Sequence, residues 1–147
     1  MLHLWLIGGK EINNMFLDKL EGKEREVFLD LAVQTAKSNG MVEEKEKELI
    51  KHFCREMAIS EYTIYDTKTI EEAAAFFKDA KKSKKKIIIS ELIGIGVADG
   101  KFSKDERKFI DELADEMGIK KETVDSIEEV VKDYYKSAKK LREEIFD

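Results

Sequence analysis

Two carboxylates, Asp99 and Glu106, stand on either side of an Asp-Gly turn, in Asp99-Gly100-Lys101-Phe102-Ser103-Lys104-Asp105-Glu106. If one helix ends at Asp99 and the next begins at Ser103, a tight turn brings both side chains together. Converging carboxylate oxygens are what a hard divalent cation requires. An EF-hand reading of the same loop fails. With Asp99 as its first position, Lys101, Lys104 and Ile110 occupy positions where that motif needs an oxygen ligand, a glycine and a glutamate. The competing reading is structural: Ser103 and Glu106 form a capping box, and acids at a helix start are favoured by the macrodipole.

A related turn occurs earlier. Asn39-Gly40-Met41-Val42-Glu43-Glu44-Lys45-Glu46 aligns without gaps with residues 99–106 at a shift of 60, and Ile50, Glu56, Met57 and Ile59 recur as Ile110, Glu116, Met117 and Ile119. Asn39 and Glu46 are therefore the first copy's candidate ligands.

The remaining chemical candidates are weaker. Lys81, Lys82, Lys84, Lys85 and Lys86 form one basic run that could meet phosphate, of nucleic acid or of lipid. The run has no arginine and no aromatic for base stacking, and reads as a solvated loop between helices. Glu48, His52 and Glu56 fall on one helix face by spacing, a pattern that glutamate-rich helices also produce by chance. Gly94, Gly96 and Gly100 imitate a dinucleotide loop but lie inside a helical pattern rather than after a strand. Two histidines and one cysteine, Cys54, supply no nucleophile-base pair. No catalytic constellation is present, and the expectation is a protein that is not an enzyme.

The elements that must position these residues are helices. The 147 residues contain no proline and only 8 glycines, with 40% charged and 42% hydrophobic side chains. That composition suits amphipathic helices and opposes turn-rich sandwiches and barrels. Val27, Phe28, Leu31, Ala32 and Thr35 form one helix face that stops at Asn39-Gly40. Leu49, Ile50, Phe53, Cys54 and Met57 form the next. Thr69 to Glu72 is a capping box opening a helix through Phe76 and Phe77. Ile88, Ile89, Leu92, Ile93 and Gly96 define another helix, and Phe109, Ile110, Leu113 and Met117 one that stops at Gly118.

The last helix carries Val124, Ile127, Val131, Tyr134, Ala138, Leu141 and Ile145, in alternating steps of three and four over three heptads. Either this seam packs across its own domain, or its last turns pair with a second chain as a homodimer. A break near Ser137 would divide it. The expected fold is an all-α, single-domain bundle of about seven helices, built from two pseudo-symmetric helix-turn-helix halves over residues 15–147.

Residues 1–14 form an N-terminal arm with two readings. Lys10-Glu11 can be encoded as a ribosome-binding sequence shortly before Met15, which would make Met15 the natural start. Alternatively the arm is genuine and packs Trp5 on the core. A peptide covering residues 4–10 in protein from the native host would exclude the first.

The net charge of −5 gives no global reason to bind nucleic acid. No apolar stretch approaches the ~20 residues needed to span a bilayer. With one cysteine and no export signal, the expected location is cytoplasmic.

The segment Glu91-Leu92-Ile93-Gly94-Ile95-Gly96-Val97-Ala98-Asp99-Gly100-Lys101-Phe102-Ser103-Lys104-Asp105-Glu106, closed by Met117-Gly118-Ile119, resembles the TerB-like family over about residues 16 to 136. Its signature is an Ala-Asp-Gly turn, a spacer ending in a capping serine, and a glutamate on the next helix. The resemblance implies two pseudo-symmetric helical halves and no enzymatic activity. It also implies links to stress response, including tellurite and phage resistance, and to membrane-associated complexes, with protein partners. The acidic residues of such proteins have been proposed to bind divalent metal, and the matching positions are Asp99 and Glu106, with Asn39 and Glu46 in the first copy. Asn39 departs from the pattern by lacking a charge, so the resemblance implies one cation site rather than a symmetric pair. The alternative is a regulatory protein acting on nucleic acid or a membrane surface through Lys81–Lys86.

Overall fold

The computed structural model describes residues 3–7, 10–14, 16, 19–38, 48, 51, 55, 69–98 and 102–146. Their order is β1 (His3–Ile7), β2 (Lys10–Asn14), α1 (Lys23–Lys37), α2 (Ile70–Phe76), α3 (Lys82–Ala98), α4 (Lys104–Glu116) and α5 (Lys121–Phe146). The core is all-α. Five helices are described, against the seven or so expected.

Helix α1 buries the face that its spacing announces: Val27, Phe28, Leu31, Ala32 and Thr35 are all inaccessible. Its entry is fixed by Arg25, whose Nε donates to the Leu20 carbonyl at 2.8 Å. Its exit is closed by Ser38, whose hydroxyl donates to the Thr35 carbonyl at 2.6 Å. Thr69 caps α2 by accepting from the Glu72 N–H at 3.1 Å. Phe77, at the end of that helix, is fully buried, whereas Phe76 is exposed.

Helix α3 is the centre of the molecule. Its apolar residues from Ile87 to Val97 occupy most of the circumference, as a helix buried on several sides requires. It packs against α1, α4 and α5. Helix α4 is amphipathic and ends at Gly118, which takes φ 76°, a conformation open to glycine. There the Ile119 N–H reaches the Ala114 carbonyl at 2.8 Å and the Gly118 N–H the Asp115 carbonyl at 3.0 Å. This is a Schellman closure.

Helix α5 runs unbroken through Ser137. It lies alongside α3 and α4.

One element differs in kind from expectation. Residues of the N-terminal arm form an antiparallel hairpin, with His3 opposite Asn14 and Ile7 opposite Lys10, and β2 packs on α3. The register leaves two residues between the strands, and Gly8-Gly9 is a two-residue hairpin signal. Trp5 belongs to β1, but its side chain is outside those described.

The basic run is also corrected. Lys82 to Lys86 form the first turn of α3 rather than a loop. Lys84 Nζ donates to both carboxylate oxygens of Glu24, each at 3.0 Å, and Lys85 Nζ donates to the Met117 carbonyl at 3.1 Å. These partners from α1 and the end of α4 stabilise a helix start whose positive charges oppose the macrodipole.

Candidate functional site

Of the four acidic-turn candidates, Glu106 alone is among the described residues. Asp99, Asn39 and Glu46 lie outside them, as do His52 and Glu56. Glu106 is placed by a complete capping box. Ser103 is the extended N-cap residue of α4, its hydroxyl accepting from the Glu106 N–H at 3.1 Å. Glu106 Oε1 accepts in return from the Ser103 hydroxyl at 3.2 Å and from the Ser103 N–H at 3.4 Å. Two donors at the start of α4 are thereby satisfied locally.

The carboxylate is nevertheless not a surface cap, being only 7% exposed. It is drawn inward by the glycines of α3. A methyl group on Gly96 would fall 2.5 Å from Cδ1 of Phe102 and 3.1 Å from Oε2 of Glu106. Phe102 and Glu106 therefore occupy the space a side chain at Gly96 would need. Gly94 does the same for Tyr135, whose hydroxyl would stand 3.2 Å from such a methyl. The two glycines are inside a helix, as the sequence pattern required, and they serve close approach of α4 and α5 rather than a phosphate.

A second buried carboxylate, Glu91, lies one and a half turns earlier on α3 and is 3% exposed. It accepts from the Phe16 N–H, tying the segment after the hairpin to the core. Tyr134 on α5 feels it: burial first, then the negative charge of Glu91, push the phenol pKa above its ordinary value.

Immediately after Glu106, Arg107 binds three carboxylates. Nε meets Asp111 at 2.9 Å, Nη1 meets Glu128 at 2.7 Å and Nη2 meets Asp125 at 2.5 Å. Two of the three belong to α5, so this fork joins α4 to α5. Lys132 completes the network by donating to Glu128 at 2.8 Å. Burial works against the charge of Arg107, but its bonds to Asp125, Asp111 and Glu128 raise its pKa further. Burial likewise opposes ionisation of Glu128, and Lys132 and Arg107 together overcome it, leaving its pKa lowered.

Within residues 99–106, Glu106 is the buried carboxylate among the described residues. No group of three or more His, Cys, Asp or Glu side chains converges among the described residues. One buried carboxylate, engaged with Ser103, is not by itself a donor set for a divalent cation, which needs several converging oxygens.

Glu91 and Arg107 were missed as positioning groups. Glu91 shows in the sequence as an interruption of an apolar stretch. Arg107 has a local partner in Asp111, but its tie to α5 is visible only in three dimensions.

Residues 64–129 match the family model described as Tellurite resistance protein TerB. The match contains residues 99–106 and excludes residues 39–46, so it is narrower than the 16-to-136 resemblance. A crystal structure of a tellurite resistance protein from Nostoc punctiforme is similar, with 24% identity and a TM-score of 0.58 over 82% of this chain and 78% of that one. At that identity the likeness shows the fold. No curated protein matches the chain.

Proposed function

From the premise that residues 64–129 are TerB-like, we propose that this protein is a non-catalytic, tellurite-resistance-related interaction module whose 99–106 turn takes one divalent cation. The observation that carries the reading is Glu106, a buried carboxylate held in a capping box with Ser103 and following Asp99-Gly100 in the matched sequence segment. Glu106 supplies one hard oxygen, and Asp99 is the second ligand by its place in the sequence. A bound cation would tie the end of α3 to the start of α4 and fix the surface presented to a partner. Ionic oxygen ligation of this kind favours calcium, magnesium or manganese over zinc.

The wider role is a cytoplasmic one in stress response, exercised through protein partners. Among the described residues no helix is long and apolar enough to cross a membrane. The alternative, polyanion binding through Lys81–Lys86, is weakened because Lys84 and Lys85 are engaged within the fold.

Calorimetric titration of metal-free protein with calcium, magnesium, manganese and zinc tests the proposal, beside an Asp99→Asn, Glu106→Gln double variant. Saturable one-site binding that the variant loses supports it. Absence of binding, or binding that survives both substitutions, overturns it and leaves Glu106 a helix cap.

A further inference from the structure

Among the described residues, the N-terminal hairpin is attached differently from the helices. Helices α1 to α5 pack on one another, and buried side chains from Leu20 to Val131 close a core among them. The hairpin meets this body chiefly through β2 on one helix, α3. A two-stranded hairpin is marginally stable by itself in water, so β1 and β2 are kept in order by docking there.

The root of the hairpin is fastened by a buried carboxylate. Phe16, two residues after β2, donates its N–H to Oε1 of Glu91, 75 residues further along the chain. Beyond Phe16 the chain is held to the body independently. The Lys19 N–H bonds the Phe16 carbonyl, Leu20 is fully buried, and Arg25 donates to the Leu20 carbonyl. Glu91 thus grips the chain where a hairpin that moved would have to pivot. Tyr134 of α5 stands close enough to feel its negative charge. We infer that the hairpin is a releasable strap, swinging away from α3 about Phe16 with Glu91 as its latch while the helices stay folded.

The chemistry of the latch favours reversibility. An apolar side chain at position 91 would gain from burial and regain nothing in water. A carboxylate resists burial, and its hydrogen bond offsets that cost only while the hairpin is docked. Opening returns both the carboxylate and the Phe16 N–H to water, which replaces each partner, so the net strength of the bond is small. Release bares Glu91 on a face of α3 that also carries Ile87 and Ile95, one turn to either side. Neither Asp99 nor Glu106 takes part, so the strap stands or falls separately from the proposed cation site.

Residue-resolved hydrogen exchange of the full chain is the test, since a local opening appears as amides that exchange together at lower free energy than the core. The paired amides of residues 3–14 should exchange as one group, on the order of a hundredfold faster than those of α3 and α5. Glu91→Ala should speed the hairpin group about tenfold further, as loss of a hydrogen bond to a charged group implies, and leave α4 and α5 unchanged. Glu91→Gln keeps an acceptor and should stay close to the unmodified chain. Phe16→Pro removes the donor without altering α3, at a side chain that is 45% exposed, and should reproduce Glu91→Ala. Trp5, the one tryptophan, lies in β1, so its fluorescence anisotropy should fall in both opening variants. Hairpin amides that exchange only with the helix core, or that show no protection at all, overturn the inference. So does Phe16→Pro protein whose hairpin exchanges as before, or whose helices loosen in step with it.

Discussion

The two ends of α3 solve opposite problems. At its C-terminal end, side chains are removed: Gly94 and Gly96 admit Tyr135, Phe102 and Glu106 against the helix backbone. At its N-terminal end, side chains are added: lysines crowd the first turn, and Lys84 and Lys85 reach outward to Glu24 and the Met117 carbonyl. The first end depends on steric fit in a dense interior, where a single methyl group is felt. The second depends on half-exposed lysine contacts, an ion pair to Glu24 and a hydrogen bond to the Met117 carbonyl, and exposed ion pairs are individually weak. The difference ranks the consequences of substitution.

Gly96→Leu should have the largest effect, lowering stability by about 3 kcal/mol, because overpacking must displace the Phe102 ring and the Glu106 carboxylate together. Urea denaturation measures it, and a loss below about 1 kcal/mol would show that this end is looser than described. Ser103→Ala comes next. It removes the cap and the hydroxyl partner of Glu106, with an expected loss of about 1 kcal/mol.

Arg107→Ala should cost a similar or slightly smaller amount, since the three pairs are partly buried but reach solvent. Its effect should also depend on pH. Glu128 has a lower pKa folded than unfolded, so its ionised form favours the fold. That contribution is complete above the ordinary carboxylate range and disappears as pH falls through it to below the folded value. The gap between unmodified and Arg107→Ala protein should therefore narrow in acid, and a gap constant from neutral pH to strong acid would remove the ion-pair explanation.

Lys84→Ala is the small end of the comparison, with an expected change of no more than about 0.5 kcal/mol, reduced further by salt. A loss as large as that of Ser103→Ala would erase the distinction between the two ends.

What could be read from the sequence divides along the same line. The buried face of α1, the Ser103 box, the helical setting of Gly94 and Gly96 and the stop at Gly118 are all local, determined by spacing or by residues three or four apart. The helical lysine turn was not legible, because its partners lie 60 and 32 residues away. The hairpin was missed although Gly8-Gly9 signals it: Leu4, Trp5, Leu6 and Ile7 form a continuous apolar run without the polar alternation that marks a strand. At the candidate site, Glu106 and its cap could be read from spacing. Its burial could not, because that comes from the approach of α4 to Gly96. For the α5 seam, packing inside the domain and pairing with a second chain were both open readings; Val124 and Val131 are buried, while Leu141 and Ile145 are exposed.

Glu106 is a helix cap in the structure and is proposed to be a cation ligand as well. Thermal unfolding of unmodified and Glu106→Gln protein, each with and without saturating calcium, magnesium or manganese, tests it most directly. A ligand that binds only the folded state at about 100 times its Kd adds about 2.7 kcal/mol, so one of these cations should raise the melting temperature of the unmodified protein by several degrees and leave Glu106→Gln protein where it was. Equal shifts in the two proteins, or none in either, would contradict the claim.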